Sequence, residues 1–261
     1  MSSDQSYDDF YEEFFEEKDN VSYNVDARMR VRRDTILNYL KNFPGNLKAL
    51  DVGCGLGDVL AELPDSYTLS GVDYAKSNVS YAMTRLKGKA EIFNSSIYEL
   101  PFDSDSIDIG LCLEVLEHIE NDEKAVREIS RVIKPGGILI AAVPYTYYWK
   151  SYKKLLGHFR HYTRTSFTEL LLNNGFTKVD KYLPNFYRWH QKYSRNYALL
   201  TANYKLMNIF FRYDSLYSFK FPWYKQPSIK KMELKLESMK KKDENINYST
   251  DDHSTFLAVR K

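Results

Sequence analysis

The 261-residue sequence predicts an α/β fold built on a doubly wound sheet, and two stretches carry that prediction. In ALDVGCGLGDVL, from Ala49 to Leu60, an apolar run ends at Asp51 and passes directly into Gly53, Gly55 and Gly57, spaced two apart. This reads as a strand feeding a side-chain-free turn at the head of a helix. Tyr67 to Val72, YTLSGV, reads as a second strand closed by Asp73, twenty-two residues after Asp51. A doubly wound sheet presents a carboxylate to ribose hydroxyls at that place. Glycine is needed where a ligand lies against bare backbone or φ is positive, and helix-opening amides attract electron-rich groups, so the turn predicts a cofactor site. A dinucleotide is disfavoured, because G-x-G-x-x-G needs a glycine at position 58 and Asp58 would face a pyrophosphate badly.

The remaining elements come in chain order. Ala27 to Asn42 is a predicted helix with apolar Val31, Ile36, Leu37 and Leu40, stopped by Pro44 and Gly45. Lys89 to Asn94 is a short third strand, and Ile107 to Leu113 is a buried fourth whose C-terminal loop begins at Glu114. Asn121 caps a helix ending at Ile133, which Pro135 and two glycines terminate. Ile138 to Val143 is the next strand. Ser166 and Glu169 form an expected capping box for a helix that closes at Gly175. Phe176 to Tyr182 is a sixth strand and Ser254 to Val259 the last.

Between those two strands lie about 70 residues, Leu183 to His253, with fourteen aromatics between Leu183 and Lys225. That density excludes a disordered linker. A helical layer packed on the sheet edge or on a second subunit explains it. So does an acceptor pocket lined by aromatics, or an interfacial patch that makes peripheral contact with a membrane.

Composition narrows the class. The net charge of +2 gives no mandate for nucleic acid, and no N/D-P-P-Y motif occurs. Charge is uneven: YDDFYEEFFEEKD near the start is acidic and aromatic, whereas Lys225 to Lys242 is rich in lysine. The two cysteines, Cys54 and Cys112, fall in predicted core segments, a reduced cytoplasmic pattern without a disulfide framework or zinc spacing. No signal peptide is read at the start, and no run approaches the ~20 apolar residues that span a bilayer.

Four blocks, LDVGCGLG, GVDYAKS, LPFDSDSIDIGLCLEVLEHIEN and REISRVIKPGGILIAAVPY, together resemble the class I S-adenosylmethionine-dependent methyltransferases, in particular the group acting on small molecules. GHFRHYTRTSFTELLLNNGF, from Gly157 to Phe176, is similar to that group too. The resemblance implies a Rossmann-like seven-stranded sheet with its last strand antiparallel and S-adenosylmethionine as cofactor. It divides the chain into an N-terminal lid or tail (1–26), a core (27–182), an insertion (183–253) and the final strand (254–261).

Carried over by position, Asp51, Gly53, Cys54, Gly55 and Gly57 would cradle the methionine part, Asp73 would bind the ribose and Tyr74 would lie along the adenine. Leu113 and Glu114 would border the cofactor. Where the group usually has an aspartate for the adenine amino group, this chain has Ser96, followed by Ile97, which implies somewhat weaker binding. His118 and His158 are the candidate bases for an acceptor proton. Glu114, Glu117 and His118 resemble the E-x-x-E-H segment with which ubiquinone-pathway O-methyltransferases hold a divalent cation, although many relatives carry the same letters without a metal. Arg160 and Tyr162 either orient an acidic or hydroxylated acceptor or anchor their loop. Tyr7, Phe10, Tyr11 and Phe14 are read as a lid, with a disordered tail as the alternative.

The expected activity is methyl transfer to a small molecule, the oxygen of a sugar, glycan precursor or quinone-like ring, with nitrogen as the second acceptor. A non-catalytic cofactor-binding scaffold is the reading from another class. The intact glycines and Asp73 count against it.

Overall fold

The computed structural model describes residue 33 and residues 36–144, 157–181 and 255–260. The expected lid (1–26) and insertion (183–253) lie outside the described residues, as does most of the first helix, of which residues 33 and 36–40 are seen as helical. The strands are β1 (Lys48–Val52), β2 (Thr68–Asp73), β3 (Ala90–Asn94), β4 (Ile107–Leu113), β5 (Ile133–Ala142), β6 (Phe176–Lys181) and β7 (Thr255–Arg260). The helices are α1 (Lys76–Arg85), α2 (Asp122–Val132) and α3 (Arg164–Asn173).

All seven strands join one sheet in the order β3-β2-β1-β4-β5-β7-β6. Neighbours pair in parallel from β3 to β5, and β7 lies antiparallel between β5 and β6. The chain therefore reverses direction across the sheet between β1 and β4, the point where an open sheet leaves a crevice at the carboxyl ends of its strands.

Period-two alternation fills both faces. Leu50 and Val52 of β1 and Cys112 of β4 pack with Val126, Ile129 and Val132 of α2 and Phe167 and Leu171 of α3. Ala49, Ile109 and Leu111 face the other way, against Ile36, Leu40, Val79, Ala82 and Leu86. Burial of each such large aliphatic side chain contributes roughly 1.5–3 kcal/mol, so the sheet is held as the middle of three layers.

Three expectations are corrected. The glycine turn does not open an α-helix: it leads instead into a short 3-10 turn, Leu60–Glu62. With Gly53, Gly55 and Gly57 all at positive φ, the backbone cannot enter a helix at the turn, and the helix-amide argument for the site lapses. The strand after α2 starts at Ile133, so Pro135, Gly136 and Gly137 lie within it. A register shift between Ile107 and Ile109 accommodates them. Finally, the capping box of α3 joins Thr163 and Ser166 rather than Ser166 and Glu169, one turn earlier than the spacing suggested.

Candidate active site

The turn after β1 is fastened to β2. Gly53 N and Cys54 N donate to Val72 O at 2.7 and 3.0 Å, and Gly57 N donates to Cys54 O at 2.9 Å. Gly55 N donates to Asp73 Oδ2 at 2.8 Å, while Asp73 Oδ1 accepts from Ala75 N at 3.0 Å and Asn78 Nδ2 at 3.3 Å. Asp73 thus organises the turn as well as standing where a ribose hydroxyl would be met, a second duty that the sequence did not reveal.

Two glycines have different reasons to be there. A Cβ at Gly53, φ +75°, would stand 2.4 Å from Val115 Cγ2, so packing excludes it. A Cβ at Gly55, φ +51°, would meet no heavy atom within 4 Å. Among the described residues, the space that a Gly55 side chain would take is clear.

Around that space the carboxyl ends of four strands converge. Asp51, next to last in β1, is only 3% exposed, and burial, followed by the charge of Asp73, raises its carboxyl to about 7. The buried Cys54 thiol is pushed far up by burial and by the same two acids, so it stays protonated. Tyr74, after β2, is 47% exposed, and Asn94 Nδ2 holds its carbonyl at 2.7 Å. After β3, Ser96 Oγ accepts from Tyr98 N at 3.2 Å, whereas Ile97 is buried in the core. Leu113 ends β4 buried, and Glu114 takes φ +58° with its N–H donating to Ala142 O at 2.8 Å. A non-glycine residue in the left-handed region costs about 1 kcal/mol, a strain that turns the chain sharply at the crevice.

Beyond Glu114 the chain makes a 3-10 turn, Leu116–His118, and against it lies the loop leading into α3. Phe159 N donates to Glu117 O at 2.7 Å, and Tyr162 N to Pro144 O at 3.2 Å. Tyr162 is buried, its hydroxyl 3.1 Å from Leu116 O and 2.8 Å from Asp122 Oδ2. Arg160 Nη2 donates to Glu120 O at 2.6 Å and Nη1 pairs with Asp122 at 2.7 Å. Arg160 and Tyr162 are thus engaged as anchors of the loop.

The anchored loop presses His158 onto His118, ring centroids 4.5 Å apart at 88°. His158 Nδ1 lies 2.7 Å from His161 Nε2. Burial, and then His161, lower His158 to about 4, which keeps it neutral near pH 7. Glu117, 1% exposed, places Oε1 3.8 Å from His118 Nε2. The sequence reading singles out His158 and His118 but not His161, whose three-residue spacing from His158 in GHFRHY is the available signal. Glu117, His118 and His158 come together as a group of ligand-type atoms; Glu114 does not join them.

A family model described as a methyltransferase domain matches residues 50–141. The chain is 32% identical over 101 residues to a sterol 4-C-methyltransferase of Caenorhabditis elegans, covering 36% of this chain and 30% of that protein. It is 33% identical over 117 residues to the ubiquinone biosynthesis O-methyltransferase of Rickettsia bellii, covering 42% and 48%. Thus the chain spans less than half the length of either protein. Among solved structures, a chain of the complex between the Haloferax volcanii Trm112 methyltransferase activator and a methyltransferase superposes with a TM-score of 0.56 at 17% identity, covering 99% of both chains. The Bacillus subtilis YcgJ protein gives 0.53 at 15%, covering 87% of this chain and 98% of that one. These structural likenesses establish the fold.

Sheet order, reversal point and glycine turn define an α/β domain of the nucleoside-cofactor-binding kind, closed by an antiparallel final strand. Residues 50–141 match the methyltransferase domain model, and over that segment the chain is similar to methyltransferases. S-adenosylmethionine is the cofactor that this match implies. The residues present fit that cofactor, since the clear space at Gly55 is one that a single added Cβ would enter, and acids stand next to the end of β1 and at the end of β2.

Proposed function

We propose that this chain transfers a methyl group to a small-molecule acceptor, the oxygen of a sugar, glycan precursor or quinone-like ring, with nitrogen as the second choice of acceptor atom. The observation that carries the reading is the space left clear at Gly55, among the described residues, at the same sheet edge as the His118–His158 pair. When bound, S-adenosylmethionine supplies an electrophilic methyl on a sulfonium, a centre that needs alignment more than activation.

The chain's residues do the rest. Gly53 to Gly57 and Asp51 hold the amino-acid end, Asp73 the ribose, Tyr74 the adenine face, and Ser96 with Ile97 the adenine edge. Holding two reactants in line can contribute roughly 7–11 kcal/mol. Proton removal from the acceptor falls to His118 and His158, with His161 fixing the tautomer of His158 through the 2.7 Å contact. Likeness to an O-methyltransferase and a C-methyltransferase supports methyl transfer and leaves the acceptor to the variable parts of the chain. The expected lid and the aromatic insertion would cover and shape that acceptor site, and the insertion's lysines are compatible with peripheral membrane contact.

Release of S-adenosylhomocysteine on sugar, quinol and amine acceptors tests the reading. His118→Ala and His158→Ala should bind cofactor normally yet turn over roughly 10²–10⁴ times more slowly. Wild-type turnover by both variants would remove the histidines from the reaction.

A further inference from the structure

We propose that Arg85 is a positioning residue for cofactor binding, which acts from the end of α1 by fixing the shape of the glycine turn. The proposal rests on the reading of that turn as the S-adenosylmethionine site. Arg85 Nη1 donates to Leu56 O at 3.2 Å and to Asp58 Oδ1 at 2.5 Å, reaching back 29 and 27 residues. Asp58 is only 4% exposed, and a buried carboxylate needs such a partner. The sequence reading set Asp58 against a pyrophosphate; in the fold its carboxylate is engaged by Arg85.

These bonds act on peptide planes. A peptide group is rigid, so holding its C=O and its N–H together fixes its orientation. Leu56 O is held by Arg85, and Gly57 N by Cys54 O at 2.9 Å, which pins the Leu56–Gly57 peptide from both sides. The Cys54–Gly55 peptide is pinned in the same way, its carbonyl by Gly57 N and its N–H by Asp73 Oδ2 at 2.8 Å. Gly55, with the clear space beside it, lies between the two planes. Each plane has one anchor outside the turn, Asp73 for the first and Arg85 for the second. Three glycines in five residues would otherwise leave this backbone many shapes, and the outside anchors select one.

Both anchors are tied to α1. Asp73 leads into its first turn and accepts from Ala75 N at 3.0 Å and Asn78 Nδ2 at 3.3 Å, while Arg85 is its last residue. The end of the helix also lies directly against the turn, since a Cβ at Gly57, φ +73°, would stand 2.4 Å from Leu86 Cδ1 and 3.6 Å from Ala82 Cβ. The helix is thus a splint fastened to the turn at both ends. Holding a loop in its bound shape raises affinity, because the loop no longer has to be ordered when the ligand arrives. Without the Arg85 anchor that ordering falls to the binding step. Lys89, four residues further on, pairs instead with the exposed Asp65 at 2.9 Å and provides a control of equal charge.

Calorimetric titration of the full chain with S-adenosylmethionine and S-adenosylhomocysteine tests this, with affinity and stoichiometry read separately. Damage to the fold alone lowers the number of sites and leaves the affinity of the folded remainder, whereas lost positioning lowers the affinity of every site. Arg85→Met should bind both ligands at least about tenfold more weakly at unchanged stoichiometry. If the orphaned Asp58 charge prevents Arg85→Met from folding, the double variant Asp58→Asn/Arg85→Met removes that charge and still releases Leu56 O, and the same loss is expected. Arg85→Lys keeps a cation for Asp58 and should bind at least about threefold more tightly than Arg85→Met. Lys89→Met should bind like the wild type. Wild-type affinity in Arg85→Met or the double variant, a loss seen only in stoichiometry, no recovery in Arg85→Lys, or an equal loss in Lys89→Met would each overturn the positioning role. Folded wild-type protein that binds neither ligand would overturn the cofactor reading, and the positioning role would fall with it.

Discussion

Asp51 shows how one carboxyl can tie a cofactor to its pH. It stands next to last in β1, walled in by the sheet, and burial together with the Asp73 charge raises it to about 7 from an ordinary 3.8. A cationic ligand end beside it favours the carboxylate, so binding expels the proton that the unliganded protein still holds below that pH. Affinity for S-adenosylmethionine should therefore rise between about pH 5.5 and 7, by at most about tenfold per unit, and level off above. Calorimetry in buffers of different ionisation enthalpy would detect the released proton. A flat affinity over that range, with no proton released, would remove Asp51 from contact with the charged end. At this scale the glycines and the two acids were legible, because backbone clearance and carboxylates at strand ends have few other uses there. The double duty of Asp73 was not, since a side chain bonding Gly55 N eighteen residues away leaves no local mark in sequence.

At the scale of elements, α2 is held by both its ends and one face. Asn121 Oδ1 accepts from Lys124 N at 3.0 Å, and Ala125, Val126, Ile129 and Val132 are fully buried. Its exposed side grips the loop before β4: Glu128 Oε1 accepts from Leu100 N at 2.8 Å, and Arg131 donates to Phe102 O at 2.9 Å and Leu100 O at 3.1 Å. That loop also carries Ser96 and Ile97. The hydrogen bonds from Arg131 hold the Glu128 carboxyl below its ordinary 4.5, so its contribution is complete above that pH and is lost as pH falls through the lowered value. Glu128→Gln should cost about 1–2 kcal/mol at pH 7, reduced from the usual charged-bond value because Arg131 is 37% exposed. The difference should shrink near pH 3. Denaturant midpoints at the two pH values measure it, and an equal loss at both would show that charge plays no part.

The same element shows what sequence could reach. The cap and apolar spacing of α2 and the unbroken run of β4 were legible because both are local patterns. The 3-10 turn after the glycines and the start of β5 at Ile133 were not. Three positive φ values and a sheet irregularity decided them, and both depend on what the neighbouring strands allow. The anchoring of Arg160 and Tyr162 likewise depends on Asp122, some forty residues away and invisible to local spacing.

At the scale of the whole molecule, one sheet gathers at its carboxyl edge a bare glycine cradle, two acids and a histidine cluster drawn from strands and loops far apart in sequence. Chain reversal between β1 and β4 brings the parts together, while β7, returning antiparallel, completes the far side. Among the described residues no helix is long and apolar enough to cross a membrane.

The cradle is tested most simply by calorimetric titration of the full chain with S-adenosylmethionine and S-adenosylhomocysteine, wild type beside Gly55→Ala. The added methyl meets no protein atom within 4 Å, so the variant should fold with only the roughly 1–2 kcal/mol strain of a side chain at φ +51°. Its cofactor cradle, however, would be filled. Micromolar binding of both ligands by the wild type is expected, with at least about tenfold weaker binding by the folded variant, the equivalent of ~1.4 kcal/mol. Folded wild-type protein that binds neither ligand, or a variant that binds both as tightly as the wild type, would contradict a cofactor site at this turn.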